Sequence, residues 1–115
     1  MQEIKGEDYI VKYEPEIVTI DFQGELALSG PPEYKPIKDL LYDIAESEPA
    51  TITLNLRKLE FCNSSGISLL SKFILALRKK KAIELVILGS SDIAWQSKSL
   101  KNFQKLLPSI TLKID

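Results

Sequence analysis

Apolar and polar positions change rhythm several times along this chain, and each change marks an element. Tyr9-Ile10-Val11-Lys12-Tyr13 and Ile17-Val18-Thr19-Ile20-Asp21-Phe22 are rich in β-branched and aromatic residues, which fit a pleated, half-buried surface. The intervening Glu14-Pro15-Glu16 reads as a turn and the pair as a hairpin. Gly24-Glu25-Leu26-Ala27-Leu28 leads to Ser29-Gly30-Pro31-Pro32, strong punctuation before Ile37, Leu40, Leu41 and Ile44 recur with helical spacing. That spacing predicts a first helix from about Tyr34 to Ser47. Glu48-Pro49-Ala50 ends it and opens a third strand, Thr51 to Leu56, with Ile52, Leu54 and Leu56 on one face.

Ile67, Leu70, Phe73, Ile74 and Leu77 then form one stripe within 67–80, the pattern of a helix packed on a sheet. Ile83 to Leu88 is a nearly continuous apolar run, typical of a strand buried on both faces. Gly89-Ser90-Ser91-Asp92 makes a turn, and a polar third helix follows from about Ile93 to Leu107, with Leu100, Phe103, Leu106 and Leu107 among its apolar positions. Pro108 and Ser109 stop it, and Ile110-Thr111-Leu112-Lys113-Ile114 alternates as a final strand. The predicted order is ββαβαβαβ. Its alternating second half implies parallel strands joined by right-handed crossovers, hence an α/β fold with a mixed, mostly parallel sheet covered by helices.

Composition narrows the chemistry. The 115 residues suit one domain, 1–115, around a single core. With 44% apolar residues and a net charge of -1, nothing in the overall charge draws the chain to nucleic acid or to an anionic membrane. The basic run Arg78-Lys79-Lys80-Lys81 falls at a helix C-terminus, where the dipole favours cations. No apolar stretch approaches the roughly 20 residues that span a bilayer, and the first residues lack the order of a signal peptide, so a cytoplasmic protein is expected. Cys62 is the sole cysteine and histidine is missing altogether. The usual general base, the usual metal ligand and any Cys/His zinc site go with them, and neither catalysis nor a cofactor is expected.

The most informative stretch is the junction at Asn63-Ser64-Ser65-Gly66, where the third strand leads through Arg57 to Cys62 into the second helix. Two hydroxyls arrive where backbone amides are unpaired and the dipole is positive. The arrangement suits a phosphoserine, and it suits a plain helix cap equally well. Two further chemistries are open to these residues. One is a serine nucleophile, which would need Lys72 or Lys58 as its base, since the chain has no histidine and no Gly-x-Ser-x-Gly. The other is a nucleotide or small-anion site at this turn or at Gly89-Ser90-Ser91, neither being a Walker loop or a Gly-x-Gly-x-x-Gly fingerprint. Trp95, beside Gln96, is either an exposed recognition aromatic or a ring folded on the sheet edge with its indole N–H on a carbonyl. Tyr34 and Tyr42 carry the same ambiguity, and Asp21 and Glu25 read as solvated surface acids.

The order of elements, with Gly24-Glu25-Leu26 closing an early strand and Asn63-Ser64-Ser65-Gly66-Ile67 opening the second helix, resembles the STAS domain of bacterial anti-sigma factor antagonists over nearly the whole chain. In that family an Asp-Ser-Ser-Gly or Asp-Ser-Thr-Gly motif opens this helix, and its second hydroxyl residue is phosphorylated by a partner that is both serine kinase and anti-sigma factor. The resemblance implies Ser65 as phosphate acceptor, with Ser64 as the alternative. It implies a kinase-like anti-sigma factor and a serine phosphatase as partners, with docking when unmodified and release when phosphorylated. The implied docking surface joins Asn63, Ser64, Ser65, Gly66, Ser68 and Leu69 to Leu28, Ser29 and Tyr34 of the preceding loop, with Lys72 on the same helix flank. A STAS module that docks without ever carrying phosphate is the other form. Asn63 and Ala27 stand where the family commonly has acidic residues. Related domains often carry a further helix after the fifth strand; an apolar patch left open by its lack would favour association, a homodimer included.

Overall fold

Among the described residues every strand after the first pairs with the strand before it in sequence, and this one rule builds the sheet. The computed structural model describes residues 2–115. Its strands are β1 (Gln2–Lys5), β2 (Tyr9–Glu14), β3 (Thr19–Leu26), β4 (Thr51–Cys62), β5 (Glu84–Gly89) and β6 (Thr111–Ile114). They lie in the order β1-β2-β3-β4-β5-β6 in one sheet. β1, β2 and β3 form an antiparallel meander, and β3 through β6 run parallel. The helices α1 (Pro31–Glu46), α2 (Ser64–Leu77) and α3 (Gln96–Leu106) are the crossovers.

Because the parallel strands advance in one direction, right-handed crossovers put all three helices on the same face. Burial follows. Ile20 and Phe22 in β3, Ile52, Leu54 and Leu56 in β4, and Leu85 and Ile87 in β5 are sealed beneath the helices, while Asp21, Thr53, Asn55 and Val86 between them stay half-buried. The core closes from above with Ile37, Leu41, Leu70, Phe73, Ile74, Leu100 and Phe103. Tyr42 and Phe73 stack between α1 and α2, ring centroids 5.8 Å apart.

The expected α/β class and its alternation hold, and four details differ for physical reasons. A strand precedes the predicted first one: Gln2–Lys5 offers only Ile4 to the covered face, opposite Val11, so it carries no apolar run to read. The helices cover one face of the sheet, not both, and β5 shows it: Val86 and Leu88, although apolar, lie on the open face and are half-buried. α1 starts at Pro31 because prolines fit the first turn, where no intrahelical N–H is required; Pro36 is accommodated inside the helix. β4 runs to Cys62 instead of Leu56. It passes the end of its pairing with β5 at Asn55 but stays on β3, through two register shifts, as far as Leu26 opposite Cys62. Gly24, at one of those shifts, has φ +89° and lies against the Asp8 carbonyl, so a side chain there meets both strain and backbone.

Candidate functional site

The long β4 strand delivers Asn63 to the top of the sheet, where its backbone N–H extends the ladder by donating to Leu26 O at 2.9 Å. The side chain then ties three elements together. Oδ1 accepts from the Gly66 N–H (2.9 Å), which caps α2, and from the Tyr34 hydroxyl of α1 (2.8 Å). Nδ2 donates to the Leu28 carbonyl in the β3–α1 loop (2.8 Å). The Tyr34 oxygen in turn accepts from the Leu28 N–H at 3.3 Å. Aspartate would accept from the same two donors but has nothing to donate to Leu28, so the amide suits this site where the resembling family has an acid.

Close packing fixes the neighbours. A Cβ on Gly66 would lie 2.7 Å from Cys62 Sγ and 3.0 Å from the Tyr34 hydroxyl, so only glycine lets α2 begin flush against the strand end. Tyr34 is 2% exposed. Burial raises the pKa of its phenol, against the opposing Leu28 N–H, and keeps it protonated as a donor. Burial likewise pushes the Cys62 thiol up to about 12, from an ordinary 9.0. A folded-state pKa above the unfolded one means stability that is complete below about pH 9 and is lost as pH climbs towards 12. In urea titrations the wild-type midpoint is therefore expected to fall with pH above 9 more steeply than that of Cys62→Ala. Equal slopes would show that the thiol ionises as readily folded as unfolded.

Of the hydroxyls, Ser64 is exposed at the first position of α2 and Ser65 is half-buried. With Gly66 N taken by the cap, the Ser64 and Ser65 amides are the orphan donors of this helix. Ser65 lines a groove between α1 and α2 together with Ser68 and Lys72 on its own helix and Lys38 and Tyr42 across from it. Tyr34 and Leu69 border the same groove, although both are buried. Ser29 is exposed and its N–H donates to the Glu33 carboxylate at 3.2 Å; Leu28 is half-buried. The structure thus brings the expected residues to one end of the molecule, with Asn63, Gly66 and Tyr34 shaping the site from within and Ser64, Ser65, Ser68 and Lys72 presented outward. Lys38 and Tyr42 complete the groove. Their signal was the helical spacing from Tyr34, four and eight residues on, which places all three on one side of α1.

The geometry bears on the competing chemistries. The groove holds about 110 Å³, room for a phosphate or a carboxylate and below the roughly 300–1,000 Å³ of ligand pockets. In open α/β sheets ligands settle where the strand order reverses, and the parallel strands here never reverse. A serine–lysine nucleophile needs a desolvated lysine, and both Lys72 and Lys58 are exposed. Trp95 is folded onto the sheet, its indole N–H donating to Leu59 O at 2.9 Å. Asp21 departs from the solvated reading: Oδ2 accepts from Gln23 Nε2 at 3.1 Å, and Oδ1 is shut off from solvent with no hydrogen-bond partner among the described residues. No helix among the described residues is long and apolar enough to cross a membrane.

No family model matches the sequence, and neither does any curated protein. Solved structures do match in fold. One is the crystal structure of the diguanylate cyclase SiaD in complex with its activator SiaC from Pseudomonas aeruginosa, with a TM-score of 0.77 at 11% identity over 100% of both chains. SiaC of Pseudomonas aeruginosa gives 0.72 at 16% identity, over 100% of this chain and 98% of that one. Its apo crystal structure gives 0.72 at 10%, over 100% and 99%. Identities this low establish a common fold, and the coverage makes the likeness end to end.

Proposed function

We propose that this chain is a non-catalytic regulatory module that binds a protein partner through the α1–α2 groove and the turn around Asn63, and that phosphate on Ser65 switches it. The observation that carries the reading is the position of Ser65. Its hydroxyl lies in the groove with two lysines, at a helix start with free amides, so a phosphate there is favoured electrostatically and still fills the docking surface. In the transfer, Ser65 Oγ bonds to the terminal phosphorus of a nucleoside triphosphate held by a kinase. The nucleoside diphosphate leaves and the hydroxyl proton passes to a base of that kinase. Ser64, exposed beside it, is the alternative acceptor.

The partners follow from two likenesses. The motif points to a kinase-like anti-sigma factor with a serine phosphatase to reverse the mark. The fold points to another output, because the SiaC found with SiaD is the activator of a diguanylate cyclase; a signalling enzyme of that kind is the second reading for the regulated partner. The test is intact and tandem mass spectrometry of the chain purified from its own cells across growth conditions, wild type against Ser65→Ala, with identification of what copurifies. Phosphate that comes and goes on Ser65, and a partner held about tenfold more weakly by the phosphorylated form, are expected. A chain that carries no phosphate on Ser65 or Ser64 under any condition, yet keeps its partner in both forms, would instead be a fixed docking module.

A further inference from the structure

We infer that the α1–α2 groove is an anion clamp: Lys38 and Lys72 receive a carboxylate from an acidic segment of the partner protein, and phosphate on Ser65 closes the clamp from within by taking the same two lysines. This rests on Ser65 being the switch and adds the chemistry of what is switched.

The ion pairs among the described residues engage Lys35 with Asp39, Arg57 with Asp115, and Lys80 with Glu46 and Glu48. Lys38 and Lys72 take part in none of them. Three of the four acids of α1 are committed elsewhere, Glu33 to the Ser29 N–H, Asp39 to Lys35 and Glu46 to Lys80, while Asp43 is exposed. In a chain of net charge -1, two uncommitted cations converging from two helices on one groove form a local positive site, not part of a generally basic surface. Lys38 is also oriented: its ammonium lies 5.8 Å from the centroid of the Tyr42 ring, within the range of a cation–π contact. Ser65 and Ser68 add hydroxyl donors to the same groove. A groove of about 110 Å³ lined by two lysines and two serines suits one carboxylate or one phosphate.

The clamp gives the switch a mechanism. A phosphate on Ser65 carries about -1.5 to -2 charges and is tethered inside the groove. Its effective concentration there exceeds that of any carboxylate arriving from solution. Phosphorylation therefore displaces an acidic partner by occupying its cations, in addition to repelling it.

The test uses the full chain, labelled with nitrogen-15 and titrated at low ionic strength with an acetylated hexaglutamate peptide, hexalysine being the control. Amide shifts are expected at Lys38, Ser65, Ser68 and Lys72. Lys38→Ala combined with Lys72→Ala should weaken binding about tenfold with the rest of the spectrum unchanged, and so should phosphoserine incorporated at position 65. In that phosphorylated chain, phosphorus-31 titration should show the second proton leaving at lower pH than in the same chain carrying both alanines. Shifts centred on Arg78 to Lys81, or a peptide indifferent to both changes, would overturn the clamp. Such indifference alongside phosphate on Ser65 in cells sinks the clamp and spares the switch. Clamp binding alongside unphosphorylated Ser65 in cells does the reverse.

Discussion

Asn63→Ala is expected to lower the free energy of unfolding by about 3 kcal/mol, measured as a fall in the urea midpoint at unchanged slope. Loss of the cap on Gly66 N accounts for about 1 kcal/mol. The rest comes from the Tyr34 hydroxyl and the Leu28 carbonyl, which both lose their partner in a half-buried setting, at about 1 kcal/mol each. Two milder variants divide the effect. Tyr34→Phe removes one hydrogen bond and should cost about 1 kcal/mol. Asn63→Asp keeps both bonds to Oδ1 and loses only the donor to Leu28, so it should fall between alanine and wild type. An aspartate variant as stable as wild type would show that the Leu28 carbonyl does not need the amide, and the account of this substitution within the motif would fail.

A loss of similar size is expected for Gln96→Leu, about 3 kcal/mol, or roughly 10–15 °C in Tm. Gln96 is completely buried. Its Nε2 donates to Leu56 O at 2.6 Å and Leu59 O at 3.1 Å, and its Oε1 accepts from the Ser90 N–H at 2.8 Å. These bonds exist because β4 outruns β5. From Leu56 onward β4 has no strand beside it on that edge, and Gln96 with Trp95 supplies the hydrogen bonds a strand would have given. Leucine fills a similar volume but leaves Leu56 O and Ser90 N unpartnered, while Leu59 O keeps the Trp95 indole. Thermal unfolding measures the drop. A Gln96→Leu chain with the wild-type Tm would mean that water reaches these groups.

How much of this could be read from residues alone depended on whether the signal was periodic. The stripes Ile37-Leu40-Leu41-Ile44 and Ile67-Leu70-Phe73-Ile74-Leu77 fall on the helices that bury them, because burial of one helical face leaves a trace in spacing. β4 beyond Leu56 left no such trace. Its two register shifts break alternation, and Arg57, Lys58 and Glu60 are exposed within it. The apolar run of β5 gave a misleading trace, since Val86 and Leu88 sit on a face no helix covers. At the site, the capping role of Asn63 was legible from the cap pattern, while Ser65 is proposed on the motif and Lys72 on its place along the same helix flank. The bonds of Asn63 to Leu28 and Tyr34, 35 and 29 residues distant, were not legible, because only the fold brings them together. Lys38 left only its spacing from Tyr34 as a signal; its place in the groove depends on the neighbouring helix α2.

The sheet keeps its strands in the order of synthesis, β1 through β6, and this has a consequence for the nascent chain. As each strand leaves the ribosome its partner has already been made, and the growing edge is always the newest strand. A doubly wound sheet reverses its order, so some strand there must wait beside an open edge for a segment not yet translated. Here each strand waits only for the next one to be made. Leu28 and Tyr34 emerge well before Asn63, however, so the loop and α1 stay unlatched until that one side chain arrives. That end of the molecule is therefore sealed only when Asn63 emerges, in the same step that starts α2.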